Sequence, residues 1–144
     1  MKKIIFTITI IFMAISFSSC TKDNDFESHH YGNHFERSGL SVTSSVSNPN
    51  SVGGVVVSLT IENNTGKTIK YLGFAGDMKN VFGDNVYCEI RDQIGMQISV
   101  AGPIYDGDCV TYYSNDCFYN NTAKTYCINA VSVQFLGEDW IHWH

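Results

Sequence analysis

The sequence predicts an all-β fold, an antiparallel β-sandwich of about seven strands over residues 38–144. Three observations carry this. Apolar residues alternate with polar ones at period 2, clusters of turn residues separate the alternating runs, and no window long enough for a helix repeats at 3.6 residues. Leu40, Val42 and Val46 mark a first edge strand. Val55, Val57, Leu59 and Ile61 alternate with polar or outward partners and end in the turn cluster at residues 63–67. Residues 68–74 form the next strand, and Val86, Cys88 and Ile90 set the phase of another. Arg91-Asp92-Gln93 turns into Ile94, Met96, Ile98 and Val100, after which Gly102-Pro103 and Asp106-Gly107-Asp108 punctuate the chain. Val110 and Tyr112 mark a sixth strand, and Val131, Val133 and Phe135 a seventh. A small barrel is the alternative closure, since periodicity does not separate barrel from sandwich.

The chain has 144 residues, Lys+Arg 9 and Asp+Glu 14, for a formal charge of −5, which is the length of one domain with its own core. Two prolines and a hydrophobic content of 44% exclude a wholly disordered protein. The acidic balance repels phosphate backbones, so no nucleic-acid partner is expected. Met1-Lys2-Lys3 and the apolar run 4–17 read as the first two zones of a signal peptide. The run is shorter than the stretch of about 20 residues that spans a bilayer. It ends in Phe17-Ser18-Ser19-Cys20, which resembles the lipobox of bacterial lipoproteins. The resemblance implies cleavage after residue 19, a diacylglycerol on the Cys20 sulfur and a fatty acyl chain such as palmitate on the new N-terminus. Several chains make such an anchor stable, so the membrane is an expected partner. Loss of Lys2 and Lys3 with the leader takes the balance to −7. Residues 20–37 then form a polar tether without apolar period, spanning about 20–25 Å as a flexible coil. Its start, Thr21-Lys22-Asp23-Asn24-Asp25-Phe26-Glu27, is similar to the signal that carries some Gram-negative lipoproteins to the outer face of the outer membrane, which implies cell-surface display.

A second resemblance covers residues 40–137. Asn63-Asn64-Thr65-Gly66-Lys67-Thr68-Ile69-Lys70-Tyr71, then Asn80-Val81-Phe82-Gly83-Asp84, Gly102-Pro103-Ile104 and Phe118-Tyr119-Asn120 follow in an order that resembles uncharacterised Ig-like bacterial and phage-associated domains of FxLYD style. Lys79 and the ending Phe135-Leu136-Gly137-Glu138-Asp139 depart from that pattern. The resemblance implies an Ig-like sandwich and brings no functional residues with it.

With Cys20 assigned to lipid, Cys88, Cys109, Cys117 and Cys127 remain, and an even count in an exported chain predicts two disulfides. Cys88–Cys109 with Cys117–Cys127 is the favoured pairing, and a bridge between Cys88 and Cys127 across the sandwich is its rival. Gaps of 21, 8 and 10 residues do not fit zinc pairs, so no metal is expected. His29, His30, His34, His142 and His144 are expected outside the strands, where none can be held as a catalytic base. Asp106/Asp108 and Glu138/Asp139 sit among turn residues, and the Gly-rich phosphate loops are absent. No catalytic residue and no cofactor are therefore expected. Tyr112, Tyr113, Tyr119, Trp140 and Trp143 are the candidate ligand contacts, because large rings with few rotatable bonds suit recognition of a protein or glycan. The expected function is a surface-displayed lipoprotein carrying a non-catalytic binding module. A structural or accessory envelope lipoprotein is the alternative, and an enzyme or enzyme inhibitor comes third.

Overall fold

The structure, a computed structural model, describes residues 32–144. The expected leader, the lipidation site Cys20, His29 and His30 lie outside the described residues. Among the described residues ten strands form: β1 His34–Arg37, β2 Leu40–Val46, β3 Gly54–Val55, β4 Val57–Asn63, β5 Ile69–Lys79, β6 Gly95–Ile104, β7 Cys109–Tyr113, β8 Phe118–Tyr119, β9 Thr125–Phe135 and β10 Trp140–Trp143. One sheet runs β1-β2-β4-β7, a second runs β10-β9-β5-β6, and β3 pairs with β8. Every pairing is antiparallel. The chain changes sheet between β4 and β5, between β6 and β7, and again before β9, which is the interleaving of an Ig-like sandwich.

The alternating residues fill the space between the sheets. Leu40, Val42, Leu59 and Ile61 face inward from one sheet, and Leu72, Phe74, Ile98, Val131 and Val133 from the other, all buried. Tyr126 is the largest fully buried side chain, and its hydroxyl donates to the Met96 carbonyl at 2.8 Å. Burial, helped by the negative charge of Asp77, pushes this phenol well above its ordinary value, so it stays a donor. Asn63 is buried with every side-chain valence used. Its Nδ2 donates to the carbonyls of Lys67 at 2.8 Å and Ile104 at 2.9 Å, and its Oδ1 accepts from the Thr65 amide and hydroxyl.

Four expectations change. The sandwich begins before residue 38, because Phe35 is fully buried and β1 pairs with β2 from His34 to Arg37. Residues 86–90 are not a strand. Val86 and Cys88 are buried, but through an arm closed by Val86 N–H to the Met78 carbonyl and Cys88 N–H to the Gln93 carbonyl. Histidines do enter strands, His34 in β1 and His142 in β10. Finally, no disulfide joins Cys88, Cys109, Cys117 and Cys127, so the two predicted bridges are not formed. Cys109 pairs with Glu62 at the end of β4 where Asn63 sits, whereas Cys88 lies beyond the opposite end, beside Tyr119. A disulfide needs Cα atoms within about 7 Å. The rival bridge fails for another reason. A bulge in β9 between the partners of Ala75 and Gly76 makes Cys127 the partner of outward-facing Asp77, while Cys88 belongs to the core.

Candidate functional site

The outward faces of the two sheets differ in chemistry. On the first sheet the polar groups engage one another. His34 Nδ1 lies 3.1 Å from Thr43 Oγ1, Thr60 Oγ1 lies 3.2 Å from Thr111 Oγ1, and the Ser45 and Ser58 hydroxyls are 2.6 Å apart. The register places His34, Thr43, Thr60 and Thr111 in one row across all four strands. Short, mutually bonded side chains make up these rows, and Tyr113, 69% exposed, stands at their β7 edge in the row of Ser45 and Ser58.

On the second sheet, inward Leu72, Phe74 and Met78 turn Tyr71, Gly73, Ala75 and Asp77 of β5 outward. Gln134 and Trp140 share the row of Tyr71, and Ser132 and His142 share the row of Gly73. Tyr71 and Trp140 are near-parallel, at 15° with centroids 6.3 Å apart, and Trp140 and His142 are parallel within 9° at 6.3 Å. Tyr71 is 42% and Trp140 45% exposed, so much of their ring surface faces solvent. The Ser132 hydroxyl, 2.7 Å from His142 Nδ1, orients the imidazole. Lys70 Nζ stands 5.3 Å from the Tyr71 ring centroid.

Beyond the rings the floor is small. Gly73, Ala75, Ser99, Ala130 and Ser132 bound a shallow hollow of about 200 Å³. The floor then runs into a polar cavity of about 540 Å³ under Asp77, Gln97, Arg91, Asp116 and Asn129. The β9 bulge makes this end: Asn129 is the extra residue, and its Nδ2 donates to Asp77 Oδ2 at 2.9 Å. The arm of residues 86–92 brings Arg91 over the cavity, where it pairs with Asp116 at 3.2 Å. Gly95 keeps the wall thin, since a Cβ there would lie 3.1 Å from the Gly76 carbonyl oxygen and 3.3 Å from Asp77 Oδ1. Tyr71 to Asp77 spans about 20 Å of extended chain. The hollow and the polar cavity meet at Ala75 and Gln97, and the register sets the rings in the rows that adjoin them, so rings, floor and polar end share one outward face of β5, β6, β9 and β10.

The five aromatic residues singled out in the sequence do not form one surface. Trp143 is only 8% exposed; it stacks on Phe35 at 5.5 Å, with Arg37 5.7 Å from its centroid, and is a core residue rather than a ligand contact. Tyr112 opposes inward Leu59, packs on the core and donates its hydroxyl to the Ala101 carbonyl at 3.3 Å. Tyr119 is half-buried in β8 and also packs on the core. Trp140 faces outward from the second sheet, whereas Tyr113 faces outward from the first, at the edge where β7 passes Gln97 and Ser99 of β6. Tyr71, Asp77, Gln97 and Asn129 were not singled out by sequence. The inward phase of Leu72, Phe74 and Met78 carried the signal for Tyr71 and Asp77.

The remaining reactive groups serve structure. Asp106 accepts from Gly66 N–H and Asp108 from Tyr105 N–H, both at 2.8 Å, and Glu138 pairs with Lys67 at 2.7 Å. Ser132 and His142 are spaced like a nucleophile and its base. Among the described residues, however, no carboxylate orients the far side of that imidazole, and both residues lie in a hydrogen-bonded ladder. Burial pushes the Cys88 thiol up. The N–H groups of Tyr119, Arg91 and Ile90 and the Arg91 charge outweigh this and hold it below its ordinary value, yet Cys88 is 1% exposed. Among the described residues no group of three or more His, Cys, Asp and Glu side chains is placed to hold a metal ion.

No family model, curated protein or solved structure matches the chain.

Proposed function

We propose that the chain is a lipid-anchored, surface-displayed recognition module without catalytic activity, holding its ligand on the outward face of β5, β6, β9 and β10. One observation carries this reading: the second sheet keeps two half-exposed rings, a small-residue floor and a polar cavity together, whereas the first sheet's outward hydroxyls are bonded to one another. Concave surfaces with a few placed polar groups are where ligands settle. The anchor rests on Phe17-Ser18-Ser19-Cys20 and display on the acidic stretch 23–27. An origin among FxLYD-style Ig-like domains belongs to the same proposal and is supported by the motif order and by the interleaving of the two sheets.

Two labels on the producing cells test the anchor and its orientation. Radioactive fatty acid is expected in the wild-type protein and absent from Cys20→Ser. Protease added to intact cells is expected to remove residues 32–144. Equal labelling of both proteins contradicts the anchor, and full protection of the domain contradicts surface display.

A further inference from the structure

Resting on the reading of this face as a binding surface, we infer that its ligand is a neutral glycan lying along it from Tyr71 and Trp140 to Asp77 and Asn129.

The ring end comes first. A hexose ring has one face of C–H groups, weakly positive, and the face of an aromatic ring is negative, so the two attract when the aromatic face is free. Tyr71 and Trp140 are 42% and 45% exposed, in near-parallel planes beside His142, which Ser132 holds in place, with Lys70 against the Tyr71 ring. Rings already fixed by neighbours lose little freedom on binding.

The floor is the second argument. Gly73, Ala75, Ala130, Ser99 and Ser132 add almost no height above the backbone, so a flat chain can lie close over about 20 Å of sheet. The room at Gly73 is real: a Cβ there would meet only the Ser132 Cβ, at 3.7 Å. A peptide adding itself to a sheet would pair with an edge strand, here β10 or β6, whereas the line from Tyr71 to Asp77 runs along interior β5.

The polar end settles the chemistry and charge. Gln97 presents a planar amide, and the Asp77 carboxylate, held by Asn129 Nδ2 at 2.9 Å, keeps acceptor positions for a ligand hydroxyl. Arg91 is engaged by Asp116, and with Asp77 the cavity carries more acid than base. Phosphorylated, sulfated or uronic-acid polymers would meet repulsion here, and an apolar ligand would leave these groups unpaired.

The test uses the full chain purified in detergent, against immobilised starch, β-glucan, mannan and xylan, with pectin and heparin as anionic probes. Binding to at least one neutral polysaccharide is expected. Trp140→Ala and Tyr71→Ala should each weaken it about tenfold or more. Gly73→Phe, which fills the floor and removes no polar group, should abolish it, and Thr60→Ala on the opposite face should leave it unchanged. Circular dichroism checks that each variant is folded. Absence of neutral binding, binding of pectin or heparin alone, or indifference to both Trp140→Ala and Gly73→Phe overturns the glycan assignment. Envelope proteins captured by the wild type separate the two readings. If capture is lost in Trp140→Ala and Gly73→Phe while no polysaccharide binds, the glycan fails and the binding face stands; if no ligand of any kind depends on these residues, both fail.

Discussion

Gly76→Val is expected to destabilise the domain by about 3 kcal/mol or more. Gly76 faces the core from β5, and a Cβ there would press on the Cys127 carbonyl oxygen while lying 2.6 and 2.8 Å from ring atoms of Tyr126. Neither neighbour can retreat. The carbonyl belongs to the adjacent strand at the β9 bulge, and Tyr126 is fully buried with its hydroxyl bonded to the Met96 carbonyl. A side chain at position 76 therefore separates β5 from β9 or expels the largest buried ring. Gly73→Ala is the control in the same strand: its Cβ has ordinary contact, and the change should alter stability by no more than about 1 kcal/mol. Urea unfolding of the three proteins checks the order. Equal midpoints for Gly76→Val and wild type would contradict the packing described for Gly76.

Asn63→Leu is expected to cost about 2–4 kcal/mol, lowering the thermal midpoint by roughly 10–15 °C. The amide joins the end of β4 to the following turn through Thr65 and Lys67 and to the end of β6 through Ile104. Leucine nearly matches its shape but leaves the buried Ile104 carbonyl, the part-buried Lys67 carbonyl and the Thr65 amide without those partners. Asn63→Asp sharpens the point. It is closer still in shape and keeps the acceptor for Thr65, yet it turns a carboxylate toward two carbonyl oxygens and should cost at least as much. A scan in which Asn63→Asp melts with the wild type would show that the donor bonds do not matter.

The strands that alternate most cleanly were legible in the sequence. Leu59 with Ile61 and Ile98 with Val100 point inward as their period requires. β1 was not legible, because a single residue of it, Phe35, is buried, too few to display a period. The arm carrying Val86 and Cys88 imitated a strand, since a loop pinned at every second residue buries the same pattern as a pleat. In β9 the bulge at Asn129 shifts the phase, so Cys127, buried as a core position would be, opposes outward Asp77 instead of facing Cys88.

The site was legible only in part, and the reason is again parity. Trp140 and Trp143 are three residues apart in one strand and so face opposite sides, as do adjacent Tyr112 and Tyr113. Counting aromatics without their phase grouped surface rings with core rings. The polar end drew no attention because Arg91, Asp116 and Asn129 come from an arm, a loop and a bulge that meet only in the folded chain.

The central claim is that recognition takes place on the outward face of β5, β6, β9 and β10. Photo-crosslinking from that face in the producing cells tests it most directly, with a photoreactive amino acid placed at Ser99 in one strain and at Thr60, on the outward face of the other sheet, in a second. Adducts should form from Ser99 and be lost when Trp140→Ala is added, with none from Thr60. Adducts from Thr60 alone, or from Ser99 regardless of Trp140, would contradict the account.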